Sequence, residues 1–143
     1  MKAIYRFLTG GNKDLGILLL RLGAGSMMMS HGITKLMNFS QMAETFYDPI
    51  GLGPKFALTL IILAEAGASM FVILGALTRL AVLPLMIGMI VAVVSHGAFS
   101  FGASEMALLY LLIFTVILIT GPGKYSVDAN LGKWFCKGQA AVR

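Results

Sequence analysis

The sequence predicts an all-α membrane protein built as a four-helix bundle, and three observations carry that prediction. Hydrophobic residues make up 58% of the 143-residue chain, charged ones only 12%, and the mean hydropathy is +0.88. A soluble domain of this length needs a polar surface that such a composition does not supply. Second, the apolar residues fall into four stretches, each near the twenty or so residues that cross a bilayer as a helix. Third, the basic residues gather at the chain ends and in one tight turn. That distribution sets topology.

The first stretch follows a basic leader at 1–13 and runs from Asp14 to Leu36. It carries its own charges and lacks a small-residue cleavage site, so it reads as a retained helix rather than a signal peptide. A linker covers 37–55, where Ser40 is expected to cap a short surface helix with Phe39, Met42 and Phe46 on one side. Asp48-Pro49 and Gly51-Leu52-Gly53-Pro54 end it. The second stretch is 56–77 and the third 80–99, joined so closely that they must be antiparallel. Ser104 is expected to cap the fourth, 105–120, which Gly121-Pro122-Gly123 stops. In the tail, Leu131, Trp134 and Phe135 alternate with Lys133 and Lys137 as in an interfacial helix. These four spans leave no room for a second domain.

Orientation follows from counting lysines and arginines. Lys2, Arg6, Lys13, Arg79, Lys124, Lys133, Lys137 and Arg143 fall on one side, and Lys55 and Lys35 on the other. Eight against two places both termini in the cytoplasm and the long linker outside, in a multi-pass protein of the cytoplasmic (inner) membrane. The net charge of +5 is spent on this bias and is not a nucleic-acid footprint. The single cysteine, Cys136, excludes an internal disulfide and a CxxC redox pair.

An ionised side chain at a helix centre costs about 2.5–3.5 kcal/mol on insertion scales. The chain nevertheless places Arg21, His31 and Lys35 in the first span, Glu65 in the second and His96 in the third, with Glu105 opening the fourth. At about 100° per residue, Arg21, Gly25, Met28, Gly32 and Lys35 form one stripe on the first helix. Its glycines permit close approach of a neighbour. Depths estimated from a rise of about 1.5 Å per residue favour an Arg21–Glu65 ion pair near the midplane, with His31 and His96 level with each other further out. These six residues are the candidate ligand, quinone or proton site. Purely structural roles compete: a salt bridge fixing register for Arg21 and Glu65, packing with a bond to a backbone carbonyl for His31, snorkelling for Lys35 and a helix-dipole contact for Glu105, while His96 draws its functional reading from its match to His31 in depth. Met27-Met28-Met29, Met86 and Met89 read as adaptable packing rather than a copper site, so no metal is expected.

These residues also carry a resemblance. Leu20-Arg21-Leu22-Gly23 followed by His31-Gly32 and Lys35-Leu36; Ala64-Glu65-Ala66-Gly67 followed by Leu74-Gly75-Ala76-Leu77-Thr78-Arg79; His96; and Leu108-Leu109-Tyr110 leading into Gly121-Pro122-Gly123-Lys124-Tyr125-Ser126-Val127-Asp128 resemble the DoxX family of small bacterial and archaeal membrane proteins. The resemblance implies a four-helix membrane bundle and an association with redox chemistry, as a subunit of a quinone-linked oxidoreductase or a partner in oxidant-defence complexes. The four-helix vitamin K epoxide reductases are a further similar type, but they work through paired cysteines that this chain lacks.

The leading expectation is therefore an accessory subunit of a membrane redox complex, with a quinone as the fitting cofactor and an oxidoreductase as partner. No haem, flavin or iron–sulfur motif is visible, so electrons must come from elsewhere. A haem held by His31 and His96 is disfavoured, because two histidines at one depth arise readily by chance. Two other readings stand beside it: a small proton-coupled transporter acting as a homo-oligomer, and a structural anchor with no chemistry of its own.

Overall fold

The structure, a computed structural model, describes residues 10–95 and 101–140, with side chains at 10–95 and 104–134. The described residues form six helices and no strand: α1 (Lys13–Met37), α2 (Phe39–Met42), α3 (Pro54–Leu74), α4 (Thr78–Ser95), α5 (Phe101–Thr120) and α6 (Val127–Ala140). Among them α3 and α4 are long and apolar enough to cross a membrane, and Ser104–Thr120 of α5 is a shorter apolar helix. The polar and small residues of α1 dilute its hydropathy. His96, the leader residues Lys2 and Arg6, and Arg143 lie outside the described residues.

Helix ends follow from local chemistry. The Asn12 side chain accepts from Leu15 N at 3.2 Å and starts α1. Gly75, at φ +72°, ends α3, its N–H reaching back to Phe71 and Val72 and that of Ala76 to Phe71. The second apolar segment therefore stops at Leu74 rather than Leu77, because the left-handed glycine turns the chain first. Two expected caps are corrected. Ser40 lies inside α2, which begins at Phe39 after Asn38. Ser104 lies one turn into α5, and its hydroxyl is buried without a hydrogen-bond partner. Phe101 begins the helix upstream of Ser104, so the free N–H groups that Ser104 was expected to satisfy are elsewhere.

The four long helices pack as a ring in which α1 meets α3 and α5, and α4 meets α3 and α5. The buried face of α1 is the stripe Arg21, Ala24, Gly25, Met28 and Gly32. Its glycines set the α1–α3 register: a Cβ on Gly25 would lie 2.7 Å from Ile73 Cγ1, and one on Gly32 would lie 2.5 Å from the backbone N of Ala66. Only a residue without a side chain lets the backbones come this close. The interior is filled by Met28, Val72, Val82, Leu85, Tyr110, Phe114 and Ile117. A smaller cluster joins Phe39, Met42 and Phe46 of the linker to Leu58 and Ile62 of α3.

Candidate functional site

Arg21 is 1% exposed, and its guanidinium is satisfied by backbone carbonyls. Nε donates to Val72 O at 2.9 Å and Nη2 to Ile73 O at 2.8 Å. Nη1 donates to Pro122 O at 2.7 Å and to Tyr125 O at 2.9 Å. The first two acceptors belong to the last turn of α3, whose carbonyls have no helical donor beyond Gly75. A cation at a helix C-terminus also suits the helix dipole. Gly75 leaves room for it, since a Cβ there would lie 2.4 Å from Nη2.

Asp128 completes this junction from the other side. Its Oδ1 accepts from Leu77 N at 2.7 Å, and its Oδ2 from Thr78 N and Thr78 Oγ1 at 3.0 Å each. It thereby caps α4 from fifty residues away. Its own N–H donates to Gly75 O at 2.9 Å. Partial burial opposes the charged carboxylate, but the Thr78 and Leu77 N–H groups, with Arg21 nearby, hold its pKa below the ordinary value. Arg21 and Asp128 thus tie α1, the α3–α4 turn and the α5–α6 connection together.

The expected Arg21–Glu65 ion pair does not form. Gly32 packs on Glu65 and Ala66, while Arg21 stands eleven residues earlier on α1, about 16 Å along the axis. No arginine side chain spans that distance. Glu65 pairs instead with Lys35, whose Nζ donates to Glu65 Oε2. The Glu65 side chain is 4% exposed and that of Lys35 23%. Glu65 sits in a π-helical turn, Leu63–Ala68, within α3. Such turns are rare and frequent at functional sites, because the extra residue re-aims side chains that a regular helix would align.

The pair forms the polar end of a cavity of about 460 Å³ between α3 and α4, beneath the linker. Leu60, Ile61, Ile87 and Val91 line its sides, and Phe46, Tyr47, Pro49 and Ile50 roof it. The roof is held by Asp48, whose carboxylate accepts from the N–H groups of Gly53 at 2.6 Å, Gly51 at 3.0 Å and Ile50 at 3.2 Å. Those bonds, led by that from Gly53, keep Asp48 ionised below the usual carboxylate range. An exposed Lys55–Glu44 ion pair at 2.8 Å adds a tether to the start of α3. The volume is within the range of small-molecule sites, and an apolar cleft with few polar groups is their common form.

His31 is on α1 with its ring edge-on to Tyr110, centroids 6.1 Å apart. Tyr110 in turn stacks on Phe114 at 6.0 Å. The Tyr110 hydroxyl is buried without a hydrogen-bond partner and lies within the electrostatic reach of Glu65. Glu105 is exposed on α5 and makes no ion pair among the described residues. Of the six expected residues, the structure brings Lys35 and Glu65 into contact, puts His31 beside Tyr110 and sends Arg21 to the opposite end of the bundle. His96 is outside the described residues. Tyr110 and Asp48 were not among the expected site residues. A tyrosine in an otherwise apolar helix signals a hydroxyl in need of a partner, whereas Asp48 read only as a turn residue.

A chain whose described residues form helices and no strand, with two helices long and apolar enough to cross a membrane and a partly buried ion pair heading an apolar cavity, is a helical membrane protein. It belongs to the DoxX family, whose model matches residues 16–98. It is 29% identical over 126 residues to the inner membrane protein YqjF of Escherichia coli, covering 85% of this chain and 95% of that one. It is 30% identical over 139 residues to the uncharacterized membrane protein Rv3486 of Mycobacterium tuberculosis, covering 82% of each. No solved structure matches the chain.

Proposed function

We propose that the chain is an accessory subunit of a quinone-linked or oxidant-defence redox complex of the inner membrane, holding a quinone headgroup at Lys35 and Glu65. In this reading α1, α3, α4 and α5 all cross the bilayer, with both termini cytoplasmic, as the distribution of lysine and arginine favours. The observation that carries the proposal is the 460 Å³ apolar cavity headed by the partly buried Lys35–Glu65 pair. A quinone supplies two-electron, two-proton carbonyl chemistry when bound. Lys35 is suited to donate a hydrogen bond to a carbonyl oxygen, its ammonium having three donors of which Glu65 takes one. Glu65 is suited to hold or pass a proton beside it, and Phe46, Tyr47, Pro49 and Ile50 of the linker cover the cavity. In this reading electrons come from a partner oxidoreductase or a bound cofactor, because the sequence shows no haem, flavin or iron–sulfur motif.

The test is lipid extraction and mass spectrometry of the full chain purified in mild detergent. Wild type is expected to retain a quinone in near-stoichiometric amount, and Glu65→Gln and the cavity-filling Ala64→Leu to lose most of it. Wild type without quinone, or variants that retain it equally, would refute the proposal. Proton-coupled solute flux in proteoliposomes that depends on Glu65 would assign a transporter instead.

A further inference from the structure

At the end of the bundle far from the cavity, a groove of about 570 Å³ opens between the end of α3 and the start of α6. Lys124, Tyr125, Asn130 and Lys133 supply its polar side, and Leu74 and Val127 its apolar side. We propose that this groove binds the phosphate headgroup of an anionic phospholipid, with the acyl chains running along Leu74 and α6.

Charge complementarity selects the headgroup. The two carboxylates nearest the groove are already engaged: Asp14 accepts from the backbone N–H of Lys124 at 3.0 Å and pairs with its Nζ at 3.2 Å, and Asp128 faces Leu77 and Thr78. Lys133 makes no ion pair among the described residues. The Lys124 side chain is 79% exposed and keeps two of its three N–H donors for another anion. The groove is therefore net positive. Geometry selects a lipid over a free anion. Leu74, Val127, Leu131 and Trp134 are all exposed, and the last three, at i, i+4 and i+7, make an apolar stripe along α6 beside the cations. A helix with that pattern lies in the headgroup region. The groove is independent of the quinone reading.

Trp134, the chain's single tryptophan, reports on this site. The full chain in maltoside micelles is titrated with phosphatidylglycerol, phosphatidylcholine, inorganic phosphate and an acidic peptide while its fluorescence is followed. A saturable shift with phosphatidylglycerol is expected. Each lysine near an anionic surface contributes roughly five-fold in affinity, so Lys124→Gln/Lys133→Gln weakens the response about 25-fold and Lys133→Arg leaves it intact. Should Lys124→Gln loosen the Asp14 contact and unfold the chain, Lys133→Gln alone must still weaken binding about five-fold. Equal shifts with phosphatidylcholine, saturation by phosphate or peptide without lipid, or unchanged titration of the variants would each overturn the proposal.

Discussion

Removing Lys35 alone from the Lys35–Glu65 pair should cost far more than removing both members. Breaking a buried pair from one side leaves an uncompensated charge and destabilises by about 3–5 kcal/mol. The two single variants should also differ, because the partners differ in access to the surface. Glu65 is 4% exposed and fixed in the π-helical turn, so Lys35→Met strands it and should cost about 3–5 kcal/mol. Lys35 is 23% exposed and near the end of α1, so after Glu65→Leu its ammonium can swing outward, and the loss falls to about 1–2 kcal/mol. Replacing both with apolar residues of similar size, Lys35→Met with Glu65→Leu, should bring stability within about 1 kcal/mol of wild type. The coupling energy of the cycle is then about 3 kcal/mol or more. Thermal unfolding in detergent measures it: at about 3 °C per kcal/mol for a chain of this size, Lys35→Met should fall by roughly 10 °C and the double variant by no more than about 3 °C. Additive single losses would refute the argument, since they would mean that the two side chains do not share one desolvated contact. The double variant is also expected to keep its fold while losing bound quinone, which separates stability from binding.

Gly32→Ala places a methyl group 2.5 Å from Ala66 N, backbone that cannot step aside; it should cost about 1–3 kcal/mol, and part α1 from α3 enough to lower quinone retention in the same extraction assay. Arg21→Met leaves four carbonyls without their charged donor and should destabilise by at least about 3 kcal/mol, with Arg21→Lys recovering little because a single ammonium cannot reproduce the fork; equal melting of Arg21→Lys and wild type would contradict the carbonyl-cage assignment. Asp128 has a folded-state pKa below the ordinary aspartate value, so its contribution is fully present above that value and is lost as pH falls through the folded pKa. Asp128→Asn should therefore lower stability at neutral pH and flatten the acid limb of the unfolding curve below about pH 4, and parallel pH curves for the two proteins would rule this out.

Much of the fold was legible from local chemistry. Apolar stretches between glycine and proline stops marked the long helices, and the 100° stripe on α1 picked out Arg21, Gly25, Met28 and Gly32, which form its buried face. These features depend on residues within a few turns of one another, so a linear reading reaches them. The pairing of charges was not legible in the same way. Arg21 and Glu65 looked like partners when the two helices were aligned by their midpoints, but the register between them is set by Gly32 resting on Ala66 and Gly25 on Ile73. Those contacts slide Glu65 past the midpoint to Lys35 and leave Arg21 to the carbonyls at the far end of α3.

Composition and periodicity by themselves determined that this chain is helical, that it is suited to a membrane, and that the charges within its apolar stretches need partners. Tertiary structure alone decided which of those groups meet, because partner choice depends on an axial offset of a few ångströms between antiparallel helices. It also decided that Asp128 caps a helix fifty residues away and that the linker closes over a cavity. Hydrophobicity drives a segment into the bilayer from its own residues, whereas a hydrogen bond needs two groups within about 3 Å, and only the packed bundle specifies that.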